Sequence, residues 1–470
     1  MGLRRLVWYL LIFSLSLTDL FFFPLTLHNA GQPSTFLVII LWFLVVMGWM
    51  LSRQIDIPRD YVSKSFYWFV LWMILSIALS YRLPYQYYRG DLAWDKSVRQ
   101  VLHFFVSGSV FLLPLIMVRT RREFGKAMNV YLSAFFLTVG YGILEYVNHY
   151  LHLGVGTSIM EALHYSSWYS YSVEQTVLLR SSFGDIPRLR LLAFEPSMAA
   201  NYLICLIPFF FANVLIRRSS KNWVILGTSL LLLLLTFSLG GTMSLVAEGI
   251  VFLLLVRKTS VRGRIIALAA LLIACAMAFA PTSQMIEALI LRATTADVSV
   301  EARSLEAEVA WNTYRMHPVV GVGIGNSPFY IPQAMPTWAL TPWNRRRISP
   351  YIPGYSMSGN NMFLRMGAEL GTVGLFLFLL WHWRMWRCLW DVYRSTIASD
   401  DSYITAAFIA TLAGILVGYL GNSGFDKKYW FFLFGMGTTW VRILTEERVL
   451  LRQMAARRRE PERVSAGAAS

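Results

Sequence analysis

Charge is scarce in this sequence, and acidic charge scarcest. Lys and Arg number 42 against 26 Asp and Glu, and together they make up only 14% of 470 residues. A soluble domain keeps about a quarter of its residues charged, so this balance points to a polytopic membrane protein. Cysteine is nearly absent as well. Cys205, Cys275 and Cys388 lie in or beside apolar runs and show no metal or redox spacing. A disulfide framework is therefore not read from them, and they count as small apolar packing residues. Metal-ligand patterns are also missing. There is no outward Asp-x-Asp pair and no His and carboxylate cluster at ligand spacing, so the residues call for no metal and no cofactor.

What the sequence has instead is apolar length. Hydrophobic residues make up 56% and aromatics 15% of the chain. Runs of roughly 17 to 25 residues can span a bilayer. About twelve such runs are predicted, near 6–27, 35–52, 65–81, 101–118, 127–151, 197–216, 222–239, 241–256, 264–281, 361–383, 403–421 and 428–445. The first follows MGLRR and lacks a small-residue cleavage site, so it reads as a span and not a signal peptide. The net charge of +16 does not point to nucleic acid, because of where it sits. With the N-terminus cytoplasmic, about 26 of the 42 basic residues fall in short inside segments such as RTRREFGK and RKTSVRGR. That is the positive-inside distribution, and it places both termini in the cytoplasm. The expected organisation is a five-helix part (1–151), an outer loop (152–196), a four-helix part (197–281), a large outer loop (282–360), a three-helix part (361–445) and a basic tail (446–470). The tail reads as disordered and lipid-facing, with partner binding as the other reading.

Long loops on a membrane scaffold usually carry function, and three outer segments are long: about 82–100, 152–196 and 282–360. In the last, TTADVSVEARSLEAEVAWNTYRMHP has helical periodicity, and the following stretch is rich in proline and aromatics. Those aromatics read as interfacial anchors or as sugar-stacking platforms. The second loop ends in RLRLLAFEPSMAAN, which sets Arg188, Arg190 and Glu195 at the mouth of a span. Outward arginines are not explained by the topology bias. Their planar forks match phosphate oxygens, so they read either as ligands for a lipid phosphate or pyrophosphate, or as headgroup anchors paired with Glu195. His317, in a His-Pro turn, reads as a structural cap or a group titrating near neutrality, and His164, in an aromatic stretch, is a further candidate. Within the tenth span, Arg365 and Glu369 stand four apart on one face and can pair, in support of the turn above.

Three segments together carry a resemblance. RLRLLAFEPSMAAN resembles the arginine-rich approach to a Glu-Pro-Ser turn in bacterial polysaccharide polymerases. HPVVGVGIGN (317–326) is similar to the His-Pro and Gly-x-Gly turn of the large outer loop in that superfamily. NNMFLRMGAELGTVG (360–374) resembles the motif opening the next span in O-antigen ligases and polymerases, with Asn361, Gly371 and Gly374 in register. The resemblance covers roughly 180–380 and is to the O-antigen ligase and polymerase group of glycosyltransferases. It implies a helical membrane fold of the GT-C type, with about twelve transmembrane helices and a large extracytoplasmic loop before the tenth. It also implies a bacterial inner-membrane enzyme that moves a glycan from an undecaprenyl-pyrophosphate carrier onto an acceptor sugar hydroxyl without a metal. The bilayer and a chain-length regulator or export machinery are its implied partners. Arg188 or Arg190 would match the first family arginine and Arg303 the second, all three holding pyrophosphate. Fixed arginines aimed at a leaving pyrophosphate stabilise its developing charge, and Glu195 would assist proton departure or orient the arginines.

Two positions depart from the pattern. The family histidine is Asn360 here, and an amide cannot act as a base, though it can orient a sugar hydroxyl. The turn SLGGT carries Leu239 where many relatives have arginine. Both departures fit a polymerase better than a ligase, and the ligase remains the alternative. A transporter or lipid-linked-sugar flippase is the reading from another class. It lacks support, because no repeated halves are visible.

Overall fold

The computed structural model describes residues 2–17, 33–52, 58–82, 87–88, 91–151, 178–181, 184–193, 196–256, 298–340, 361–396, 400–425 and 427–467. The chain opens with α1 (Leu3–Ser14), α2 (Pro33–Ser52) and α3 (Tyr61–Ser76). A hairpin of β1 (Tyr87–Tyr88) and β2 (Asp91–Leu92) follows, then α4 (Ala93–Ser109), α5 (Leu112–Met117) and α6 (Arg121–Leu151). A second hairpin, β3 (Leu178–Ser181) and β4 (Gly184–Pro187), leads into α7 (Pro196–Ile204), α8 (Ile207–Arg217), α9 (Ser220–Leu235) and α10 (Leu239–Leu255). The last described part holds α11 (Val298–Met316), α12 (Met362–Ser395), α13 (Asp400–Gly418) and α14 (Lys428–Gly467).

Several helix starts are set by small polar residues whose side chains accept the orphan amides of the first turn. Asp60 accepts from Val62 N and Ser63 N at 2.9 and 2.8 Å, opening α3. Ser219 and Ser238 do the same for α9 and α10, and Asn361 opens α12 by accepting from Phe363 N and Leu364 N at 3.0 and 3.1 Å. Asn361 is therefore a cap as well as a motif residue.

Seven helical segments are long and apolar enough to cross a membrane: Pro33–Leu51, Tyr61–Leu79, Ala93–Met117, Arg121–Glu145, Pro196–Arg217, Met362–Ser395 and Asp400–Gly421. Two shorter apolar helices, Ser220–Leu235 and Leu239–Leu255, accompany them. The chain is thus a helical, multi-pass membrane protein. Of the twelve expected spans, 264–281 and residues 18–27 of the first lie outside the described residues, and 428–445, the first part of α14, is not among the seven. The described chain is helical apart from the two short hairpins. One expectation needs correction. The basic tail expected to be disordered continues α14 as helix to Gly467, since MAARRREPERV is rich in good helix formers.

Apolar burial gives little preference for helix–helix contact within lipid, so association rests on close packing and polar contacts. Phe66, Phe111 and Trp381 pack in tilted and edge-on contacts at centroid distances of 4.8 to 5.5 Å. The two ends of the bundle differ. One end is held by arginines. Arg121 forks onto Asp401 at 2.9 and 2.8 Å and reaches Glu447 at 2.7 Å, which joins α6, α13 and α14. Arg442 donates to the carbonyls of Leu115 and Val118 at 2.8 and 2.6 Å, closing the orphan end of α5. The opposite end gathers the loop before α7, the turn after α11 and the start of α12.

Candidate functional site

The turn after α11 and the middle of α12 form one structural unit. Helix α12 is broken at Gly371, whose φ of 67° and ψ of −171° leave helical space. A break frees backbone groups on both sides, and within a membrane each must find a partner. The 317–326 turn supplies most of them. Val322 N donates to Ala368 O at 3.1 Å and Gly323 N to Glu369 O at 2.8 Å. From the other side of the break, Thr372 N donates to Pro318 O at 2.7 Å and Val373 N to Val319 O at 3.3 Å. Trp72 of α3 closes the set, its Nε1 donating to Leu370 O at 3.0 Å.

The glycines are what permit this approach. A Cβ on Gly371 would stand 2.3 Å from Val319 O, and one on Gly321 would stand 2.5 Å from the backbone of Glu369. Gly321, Gly323 and Gly325 all have positive φ, of 71°, 93° and 78°. Gly374 leaves room for the Trp72 ring, which a Cβ there would meet at 3.1 Å. The spacing of the two motifs therefore encodes a joint between them.

Arg365 and Glu369 lie just inside this joint and are almost fully buried. Arg365 Nε meets Glu369 Oε2 at 3.1 Å, so the pair expected from their spacing forms. Each partner also reaches beyond α12. Arg365 donates to Ser423 O at 2.6 Å and to Gln100 Oε1 at 2.9 Å, and its guanidinium lies over the Phe425 ring. Glu369 Oε1 accepts from Ser327 Oγ at 3.0 Å, just past the glycine turn. Four chain segments thus meet on one ion pair: α4, the 317–327 turn, α12 and the loop after α13. Its geometry is that of a support under the joint.

The second half of the site is the loop before α7. Arg190 is buried, with 2% exposure, and its Nε bonds Glu145 Oε1 of α6 at 3.0 Å. Glu145 Oε2 also accepts from the amides of Arg190 and Leu191, at 3.2 and 3.0 Å. The carboxylate therefore fixes both the side chain and the backbone of this arginine. Leu191 takes a positive φ of 59°, and its side chain fills the place that a Cβ on Gly142 would need, at 2.5 Å. Arg188 is half-buried and donates from Nε to Thr236 O at 3.2 Å, while Leu189 N donates to Leu235 O at 2.9 Å. The loop is pinned between the end of α6 and the end of α9.

Residues 224–379 match the family model described as O-antigen ligase. That stretch runs from α9 through the glycine joint to beyond Gly374. This segment is similar to the O-antigen ligase family. No curated protein matches it. The resemblance seen in 317–326 and 360–374 thus coincides with the matched O-antigen ligase segment, whereas the arginine loop precedes it.

The remaining candidates of this O-antigen ligase-like chain fall as follows. Arg303 is exposed on α11. His317 ends α11, its amide donating to Thr313 O and Tyr314 O, and its ring meets Tyr330 edge-on at 4.9 Å. Partial burial holds this imidazole below the usual histidine value of 6.5. It is neutral at pH 7, so His317→Gln is expected to leave the activity profile above pH 6.5 unchanged, measured as rate against pH. A charge penalty appears only as pH falls through 6.5, where the unfolded chain binds the proton that the folded one refuses, so stability drops toward acid. Glu195, His164 and Asn360 lie outside the described residues. Among the described residues, Arg190 is held by Glu145, a residue the motifs do not include. A lone carboxylate near the end of an apolar run, in GILEYV, is the signal that points to it.

Proposed function

We propose that this protein is a polysaccharide polymerase. It transfers a glycan from an undecaprenyl-pyrophosphate carrier to a sugar hydroxyl at the outer face of a bacterial cytoplasmic membrane. The observation that carries this reading is Arg190, which donates two bonds to Glu145 while the next amide donates a third, at the same end of the bundle as the glycine joint. An oriented guanidinium stabilises charge that develops on a departing pyrophosphate, and it does so without reorganising during the reaction. The acceptor oxygen attacks the anomeric carbon, the bond from that carbon to the pyrophosphate oxygen breaks, and the hydroxyl proton leaves to a nearby base. Glu195 is the proposed proton acceptor. Arg188 and Arg303 are further proposed contacts for the diphosphate, with Asn360 and Asn361 near the acceptor sugar.

The orientation proposed sets the arginine-clamped end, with Arg121 and Arg442, in the cytoplasm, which agrees with the positive-inside distribution. The ligase alternative draws on the description of the matched family. Asn360 and Leu239, at positions where relatives carry histidine and arginine, favour the polymerase.

The test uses purified full-length protein and a short lipid-pyrophosphate repeat unit. A ladder of longer lipid-linked products is expected. One transfer onto a different acceptor would select the ligase. Movement of the lipid-linked sugar across liposomes with no new bond would select the flippase and end the enzymatic reading.

A further inference from the structure

Glu248, in the middle of α10, is 2% exposed, and neither carboxyl oxygen has a hydrogen-bond partner. It faces α13, where Gly414 is the residue that admits it: a Cβ there would fall 2.2 Å from Glu248 Oε1. The neighbouring polar groups are neutral. Ser244 Oγ, one turn earlier on α10, and Thr411 Oγ1, one turn from Gly414 on α13, are likewise buried without partners. Asn201 Oδ1 and Ser244 Oγ flank Gly418, at 3.6 and 3.5 Å from where its Cβ would stand. From the α7–α8 junction, the Cys205 thiol lies within electrostatic reach of Glu248.

An ionised carboxylate in such a place would cost many kcal/mol, and such groups neutralise instead. Arg190 and Arg365, the buried arginines of the site described above, are committed to Glu145 and Glu369 and make no contact with Glu248. We infer that Glu248, with Ser244 and Asn201, forms an intramembrane proton-binding site on the seam between α10 and α13. The bound proton leaves a neutral acid that packs against Gly414. Its loss would set an unpaired charge against the backbone of α13 and loosen the seam. The site is independent of the transfer reaction proposed above.

Infrared difference spectroscopy of the purified protein, wild type minus Glu248→Gln, tests it. The expected result at pH 7 is a carbonyl stretch of a protonated carboxyl that shifts in D2O and fades only at strongly alkaline pH. Carboxylate bands in its place would overturn the inference. Loss of the band on adding sodium chloride, but not choline chloride, would also overturn it, in favour of an alkali-cation site. As a second measurement on the wild type alone, dicyclohexylcarbodiimide adds across the acid O–H, its nitrogen taking the proton. An N-acylurea on Glu248 at pH 7 that diminishes as pH rises supports the site, and one that increases with pH overturns it. Glu248→Gln, a neutral isostere, is expected to keep the melting temperature, whereas Glu248→Lys should lower it sharply; the reverse order would refute a neutral site.

Discussion

Gly371→Ala is expected to abolish recovery of folded protein, or to lower its melting temperature more than any other single methyl addition in the chain. Two costs combine. The φ of 67° with ψ of −171° is a conformation open essentially to glycine alone, at about 1–3 kcal/mol for other residues. The new Cβ would then meet Val319 O at 2.3 Å, a contact with backbone that no rotamer change can relieve. Overpacking of this kind costs about 1–3 kcal/mol more. Gly321→Ala attacks the same joint from the other side, with its Cβ 2.5 Å from Gly371 N. Once the turn has lifted from α12, the second substitution has little left to break. The double variant is therefore expected to be less destabilised than the sum of the singles, a coupling that thermal unfolding measures. Gly240→Ala is the control, because its Cβ would meet nothing within 4 Å. Equal losses from all three would show that the joint is not what holds these segments.

How much of this was legible beforehand depends on the distance over which each signal acts. The apolar runs give the helices directly, since a span is a local property of about twenty residues. The Arg365 and Glu369 pair is local too, four residues apart on one helix face. The glycine turn and the α12 motif were each visible as patterns, but their docking was not. Of the five hydrogen bonds around Gly371, four join residues about 50 apart in the chain, and the fifth links Leu370 to Trp72, 298 positions away. Nothing in local periodicity encodes that pairing. Glu145 escaped for the same reason. Arg190 and Glu145 are 45 residues apart, a separation that a local pattern such as Glu195, five residues from Arg190, does not reach. The basic tail shows the opposite error. Its composition resembles a solvated segment, yet it follows on from a helix already formed, so nucleation, the expensive step, is already complete.

The second large effect separates holding from chemistry at Arg190. Removing one member of a buried ion pair leaves the other charged and unpaired, which costs about 3–5 kcal/mol. Arg190→Ala and Glu145→Ala should therefore both destabilise the protein and both stop chain growth, and neither result alone identifies a role. Replacing the pair together, as Arg190→Met with Glu145→Leu, removes both charges and fills the space with apolar groups. Such exchanges are often neutral or stabilising, so the melting temperature should return toward that of the wild type. The amides of Arg190 and Leu191 lose their acceptor in this variant, so a residual deficit of about 1–3 kcal/mol is expected. If Arg190 acts on the leaving pyrophosphate, the double variant folds but makes no ladder, and Arg190→Lys with Glu145 intact also folds and loses most of its rate, because an ammonium lacks the fork. If the pair is only a brace, the double variant regains activity in step with its stability. Parallel measurement of thermal unfolding and lipid-linked product length distinguishes the two, and recovered ladders would move the leaving-group contact from Arg190 to another cation such as Arg188 or Arg303.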